Sequence, residues 1–205
     1  FAADRITAFH LKQMPDNFEY LDETEVKMGM RWSSVDSVGL YVPGGTASYP
    51  SSVLMNAIPA KVAGVPRRVI AVPQSHGSIN PLVLAAAKLA VLHEVYRVGG
   101  AQAIAALAYG TETISPVDKI VGPGNAFVAA AKKLVYGVVG IDSIAGPSEV
   151  LIVADTLNDP KWIAYDLLAQ AEHDEVARSI LITDSEKFAT EVINAVEETL
   201  ISLKR

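Results

Sequence analysis

The 205-residue sequence predicts an α/β fold in which a parallel sheet is covered by helices. Three observations predict it. From about residue 35 onward, short apolar runs alternate with helical patterns. The runs are apolar at consecutive positions, the pattern of strands buried on both faces, as parallel sheets require. Several runs end in glycine or Gly-Pro just before a helix-start signal, which is the layout of repeated strand–turn–helix units.

The strands are expected at residues 35–42, 68–72, 95–98, 119–121, 150–153 and 179–183, and the helices between them at 51–63, 81–92, 101–108, 126–136, 161–171 and 186–203. Asn80-Pro81 and Asp159-Pro160 each combine a capping side chain with a proline in the first turn. Gly64 and Gly137 stand where a helix needs a residue tolerant of left-handed backbone. Pro59 lacks an N–H and should kink its helix or end it early. Ahead of this alternation, residues 1–14 read as an amphipathic helix with Ile6, Phe9 and Leu11 on its apolar side. A polar stretch follows over 15–25, and Ser33-Ser34 is placed to turn a hairpin between 26–32 and 35–42.

Composition narrows the functional classes. Half the residues are apolar and a fifth charged, which fits a packed globular protein. A net charge of −6 gives no basic footprint for nucleic acid. No apolar run approaches the ~18 residues that a membrane span needs, and the opening Phe-Ala-Ala-Asp-Arg lacks a signal-peptide layout. Cysteine is absent, so disulfides and thiolate ligands are excluded and a reducing, cytoplasmic setting is expected.

Chemistry-bearing residues gather at the strand exits. Tyr41-Val-Pro-Gly44-Gly45 ends one strand ahead of a helix. Its glycines permit either a tight structural turn or close approach to a phosphate, although no G-x-G-x-x-G is present. Val98-Gly-Gly-Ala-Gln102 runs from strand into helix and leaves Gln102 in the first turn, as a solvated side chain or a ligand contact. Gly122-Pro-Gly-Asn125 repeats the layout, and Asn125 is a natural cap for the helix that follows. The stretch from Ile141 to His173 is the richest. It places Ser148 and Glu149 after Gly146-Pro147, then an apolar strand, then a helix closing on Gln170-Ala-Glu172-His173. Residues three apart share a helical face, so Gln170 and His173 can converge on one ligand, or His173 can simply sit at the negative end of the helix dipole. Ser148 is not in a G-x-S-x-G elbow, and the role of Glu149 stays open. His10, His76 and His93 have no partner at ligand spacing, and the acidic groups at Asp22–Glu25 and Glu197-Glu198 read as solvated faces.

Taken in order, four segments resemble the histidinol dehydrogenase family: Val38-Gly-Leu-Tyr41-Val-Pro-Gly-Gly45, Val98-Gly-Gly-Ala-Gln102-Ala-Ile-Ala-Ala-Leu, Lys119-Ile-Val-Gly-Pro-Gly-Asn125-Ala-Phe-Val, and Ile141 to His173. The resemblance covers nearly the whole chain, which corresponds to a central portion of the family's longer chains. It implies an aldehyde-dehydrogenase-like fold in which 41–153 form a Rossmann-like NAD-binding domain. Residues 1–40 and 154–205 would then be parts of a neighbouring, incomplete α/β domain. It implies oxidation of L-histidinol to L-histidine through the aldehyde with two NAD, as the last step of histidine biosynthesis, in a homodimer whose sites draw on both subunits. Tyr41, Gln102 and Asn125 would contact NAD, with the Tyr41 ring against adenine or ribose. Ser148, Gln170 and His173 would bind substrate, and Gln170 and His173 would also bind zinc. The family's other zinc ligands, an Asp and a His, and its proton-transferring Glu-His pair would lie beyond Arg205, so these 205 residues alone are expected to be inactive. The rival expectations are a non-catalytic nucleotide-binding remnant or excised domain, and a cysteine-dependent aldehyde dehydrogenase with its nucleophile outside the segment.

Overall fold

The computed structural model describes residues 1–44, 49–74, 78–144, 146, 148–172 and 176–203. By contact it divides into two units, Phe1–Ala145 and Gly146–Arg205.

The first unit opens with helix α1 (Ala2–Leu11) and an antiparallel hairpin of β1 (Phe18–Leu21) and β2 (Lys27–Met30). Strand β3 (Ser37–Tyr41) then leads into α2 (Pro50–Val62), β4 (Arg67–Ala71), α3 (Pro81–Leu89), β5 (Glu94–Tyr96), α4 (Gly100–Tyr109), β6 (Lys119–Val121), α5 (Ala126–Val135) and β7 (Gly140–Ile141). The sheet order is β5-β4-β3-β6-β7 and every pairing is parallel. The chain thus winds outward from β3 to one edge, returns, and winds outward to the other. That reversal creates a crevice between the carboxyl ends of β3 and β6, the place where open α/β sheets bind ligands.

The strand alternation builds two cores. Val38, Leu40, Val42, Ile70 and Val72 pack with α2 and α3 residues such as Val53, Ala57, Val83 and Ala87. Tyr41, Val69 and Ala71 point to the opposite face and pack with Ile104, Leu107, Val128 and Val135 from α4 and α5. Central strands buried on both sides explain the unbroken apolar runs in the sequence. At the amino end, the β3–β6 register is pinned by Asp118, whose Oδ2 accepts from Ser37 N at 2.7 Å and Ser37 Oγ at 2.8 Å.

The second unit contains β8 (Glu149–Val153), α6 (Pro160–Ala171), β9 (Arg178–Ile182) and α7 (Glu186–Leu200), with β8 and β9 paired in parallel. Ala154, Ile163, Phe188 and Val192 form its small core. Asp159 and Ser185 cap α6 and α7 by accepting from Lys161 N and Phe188 N. On the other side of the two strands Leu151, Val153, Ile180 and Ile182 are exposed.

Some sequence expectations change. The hairpin lies at β1–β2, within and after the stretch read as polar, while Ser33-Ser34 turns no hairpin because β3 pairs in parallel with β4 and β6. Its turn is organised by Asp22, whose Oδ1 accepts from Thr24 N, Thr24 Oγ1 and Val26 N, so this acidic cluster does more than face solvent. Strand 150–153 was grouped with the first domain, but it pairs with β9 in the second unit, and residues 1–40 fall within the first unit. Helix α2 continues through Pro59 to Val62.

Helices α2 and α3 end in the same hydrogen-bond pattern on different residues. After α2, Gly64 N donates to Lys61 O and Val65 N to Ala60 O, with Gly64 at φ +80°. After α3, Val91 N donates to Lys88 O and Leu92 N to Ala87 O, with Val91 at φ +58°. A β-branched residue pays sterically for left-handed backbone where glycine does not. Val91→Gly should therefore stabilise the protein by about 1 kcal/mol, less glycine's larger unfolded-state entropy. A raised urea midpoint at unchanged m-value is the expected result, and a lowered one would show that the exposed Val91 side chain contributes more than the strain costs.

Candidate functional site

The carboxyl edge of the five-stranded sheet gathers the strand exits. Tyr41 ends β3 with its side chain 3% exposed in the core. Its Oη accepts from the Gly100 N–H at 3.1 Å, tying β3 to the turn that starts α4. Burial pushes the Tyr41 phenol above its usual pKa, with the Gly100 N–H pulling the other way. Because the ring is in the core, it is not displayed for stacking on a nucleotide; it braces the Gly99-Gly100 turn instead. Gln102, the third residue of α4, is exposed. The exits of β4 and β5 are equally close: a Cβ built on Gly99 would fall 2.5 Å from Pro73 Cγ.

The exit of β6 is tighter still. Gly122 has φ +117°, and a Cβ there would lie 2.0 Å from the Tyr41 carbonyl oxygen, so only glycine fits. Both its backbone poles are held. Gly122 N donates to Asp142 Oδ2 at 2.8 Å, and Gly122 O accepts from Lys132 Nζ at 3.0 Å. Lys132, 3% exposed, closes the arrangement with an ion pair to Asp142 Oδ1, which also accepts from Ser143 N at 2.7 Å. Three residues on, Asn125 caps α5 by accepting from Val128 N at 3.1 Å, while remaining exposed. The structure thus brings Tyr41, Gln102 and Asn125 to one sheet edge, the first as a brace and the other two as exposed polar groups at helix starts.

The remaining predicted residues lie in the second unit. Ser148 is exposed ahead of β8, and its carbonyl accepts from Arg178 N at 3.1 Å. Glu149 faces Arg178 at 3.9 Å with both side chains largely exposed, a surface pair of small energetic worth. Gln170 is half-buried in the last turn of α6. That helix spans Pro160–Ala171 with Glu172 as its cap. His173 lies outside the described residues, as do Gly45 and His76. Of the other histidines, His10 meets Gln13 Oε1 at 2.6 Å on the surface, and His93 is exposed. Among the described residues no group of three His, Cys, Asp or Glu is placed to hold a metal ion.

Sequence reasoning missed Lys132 and the anchoring role of Asp142. A signal existed: Val128, Ala131, Lys132 and Val135 share the buried stripe of α5, and a lysine in an apolar stripe needs a partner.

The Asp142 carboxyl is held below the usual aspartate value. Burial is the largest single influence and raises it, but Lys132, the Gly122 N–H and the Ser143 N–H together outweigh burial. A depressed folded pKa contributes stability above the unfolded value of 3.8, and that contribution is lost as pH falls through the folded value. Asp142→Asn should therefore flatten the acid limb of the stability–pH curve below that point while lowering stability at neutral pH. An unchanged acid limb in chemical denaturation would show that Asp142 is not coupled to folding.

The sequence model of the histidinol dehydrogenase family matches residues 1–205. Histidinol dehydrogenase from Rhizobium meliloti is 68% identical over 204 residues, covering 100% of this chain and 47% of that protein. Histidinol dehydrogenase 1 from Trichormus variabilis is 66% identical over 202 residues, covering 98% and 47%. The chain therefore spans about half the length of these relatives. The crystal structure of histidinol dehydrogenase from Elizabethkingia anophelis superposes with TM-score 0.93 at 40% identity, over 99% of this chain and 47% of that one. A propionaldehyde dehydrogenase variant from Clostridium phytofermentans superposes with TM-score 0.56 at 13% identity, a likeness of fold alone that fits an aldehyde-dehydrogenase-like architecture. The chain belongs to the histidinol dehydrogenase family.

Proposed function

We propose that the protein carrying this chain oxidises L-histidinol to L-histidine through the aldehyde, using two NAD, as the last step of histidine biosynthesis. The observation that carries this is the 66–68% identity to histidinol dehydrogenases across essentially all of the chain. The reading places the protein in the cytoplasm as a homodimer, and among the described residues no helix is long and apolar enough to cross a membrane.

The residues of the sheet edge fit a dinucleotide. The crevice lies at the switch point of a parallel sheet, walled by backbone that approaches too closely for any Cβ at Gly122. NAD, when bound, supplies the hydride acceptor for each oxidation. Gln102 and Asn125 offer exposed amide groups at the starts of α4 and α5, suited to ribose hydroxyls or phosphate oxygens. Tyr41 acts on the same ligand through the Gly100 turn it holds. We expect Asn125→Ala in the full-length protein to raise the apparent NAD constant by about tenfold, and more than the histidinol constant. Weakened histidinol binding with unchanged NAD kinetics would remove Asn125 from the cofactor.

Ser148, Gln170 and His173 are assigned to substrate, and Gln170 and His173 to zinc as well. The fit to zinc is incomplete: an amide oxygen and an imidazole are two neutral donors, where a zinc shell normally has four. The described residues of this chain do not build that shell by themselves, and in this reading further ligands come from outside these 205 residues. Such a partial set predicts that the 205 residues alone oxidise no histidinol. In the full-length protein, His173→Ala should lower zinc content and activity together. Full zinc occupancy by elemental analysis in that variant would leave His173 as a helix-end residue and remove it from the metal.

A further inference from the structure

We propose that Lys132 and Asp142 are positioning residues for the nucleotide site, clamping the Gly122–Asn125 turn in the one conformation that presents the start of α5 to the ligand. The proposal rests on the NAD reading of that edge and extends it to two residues that touch no ligand.

Pro123 is the covalent restraint on the turn, fixing its own φ. The turn follows a three-residue strand, contains two glycines, and turns through left-handed backbone at Gly122. Its neighbour on one side is the Tyr41 carbonyl, so a small rotation of Gly122 is either a collision or a separation of β3 from β6. The clamp removes that freedom by holding both poles of one peptide residue. Asp142 takes the N–H and Lys132 takes the carbonyl, and the two side chains neutralise each other. They come from different elements, the buried face of α5 and the segment after β7, so the clamp also ties the helix that Asn125 caps to the far edge of the sheet.

A buried lysine is a costly choice for a merely structural tie. An ammonium 3% exposed loses its hydration, and an apolar side chain at position 132 would fill the stripe of Val128, Ala131 and Val135 without that cost. What an apolar residue does not do is grip the Gly122 carbonyl. The charge pair is spent on the orientation of a turn at the switch point, and the first turn of α5 inherits that orientation.

The test is equilibrium binding of NAD and, separately, of histidinol to the full-length protein, followed by fluorescence or calorimetry. The variants are Lys132→Met/Asp142→Asn, which leaves neither charge without its partner, and Asp142→Asn, which keeps an acceptor for Gly122 N but removes the counter-ion of Lys132. Leu107→Ala, a fully buried core change in the second half of α4, controls for lost stability. We expect the double variant to weaken NAD by about tenfold or more, Asp142→Asn by roughly threefold, and histidinol by less than about twofold in either, with Leu107→Ala leaving NAD within about twofold. If the parent binds NAD and the double variant binds it equally well, the clamp is overturned while the NAD reading stands. Equal losses for NAD and histidinol, or an NAD loss in Leu107→Ala matching that of the double variant, also overturn it by showing general destabilisation. If the double variant does not fold, Asp142→Asn decides by the same criteria. A parent protein that binds no NAD fails the nucleotide reading itself and takes the clamp with it.

Discussion

Burying the Lys132 ammonium costs hydration that only well-placed acceptors can offset. Here the acceptors are the Gly122 carbonyl and the Asp142 carboxylate, and Asp142 in turn takes the N–H of the same glycine. The constraint propagates in both directions. Toward the sheet, it holds β6 against β3 at a separation that excludes any Cβ on Gly122. Toward the helix, it fixes where α5 begins, and with it the cap at Asn125. Much of the candidate nucleotide edge is therefore geometry set by the buried Lys132 and its partly exposed partner Asp142 rather than by the exposed residues that would touch a ligand.

Tyr41 provides the matching constraint on the other side of β3. Its phenol reaches the Gly100 N–H from within the core, so the start of α4 is located by a side chain rooted among Val69, Ala71 and Ile104. Two helix starts are thus positioned by two buried polar anchors, each acting on a glycine. The exposed Gln102 and Asn125 inherit their placement from these anchors. A polar group placed this way loses less freedom on binding than one on a loose loop, which is the physical meaning of a pre-organised site.

The parts of this arrangement that rest on periodicity were legible in the sequence, and the parts that rest on tertiary contact were not. Central strands such as β3 and β4 announce themselves because residues 38–41 and 69–71 are buried and carry no charged residue. Asn80, Asp159 and Asn125 could be read as caps because capping is local, three residues deep at most. Strand β1 has no such apolar signal because all four of its residues are exposed, and β2, equally exposed, lies in the stretch expected to form a hairpin but pairs with β1 instead of β3. Strand β7 is two residues long, below any periodic signal. Ser33-Ser34 looked like a turn between extended segments, but strand partnership is a tertiary choice, and β3 is claimed by β4 and β6. The Tyr41 ring was pictured facing a nucleotide because the family motif marks the residue without saying which way its side chain points.

The same reasoning separates the two halves of the proposed chemistry. The nucleotide edge stands on a five-stranded sheet covered on both faces, with two cores of its own. Ser148 and Gln170 stand on a two-stranded parallel sheet with one small core and an open face of Leu151, Val153, Ile180 and Ile182. Parallel strands are rarely stable with a bare side, and two strands with one helical layer fall short of what usually folds independently. The candidate nucleotide edge therefore rests on strands that are covered on both faces. The residues assigned to substrate stand on a unit whose open strand face its own described residues do not cover.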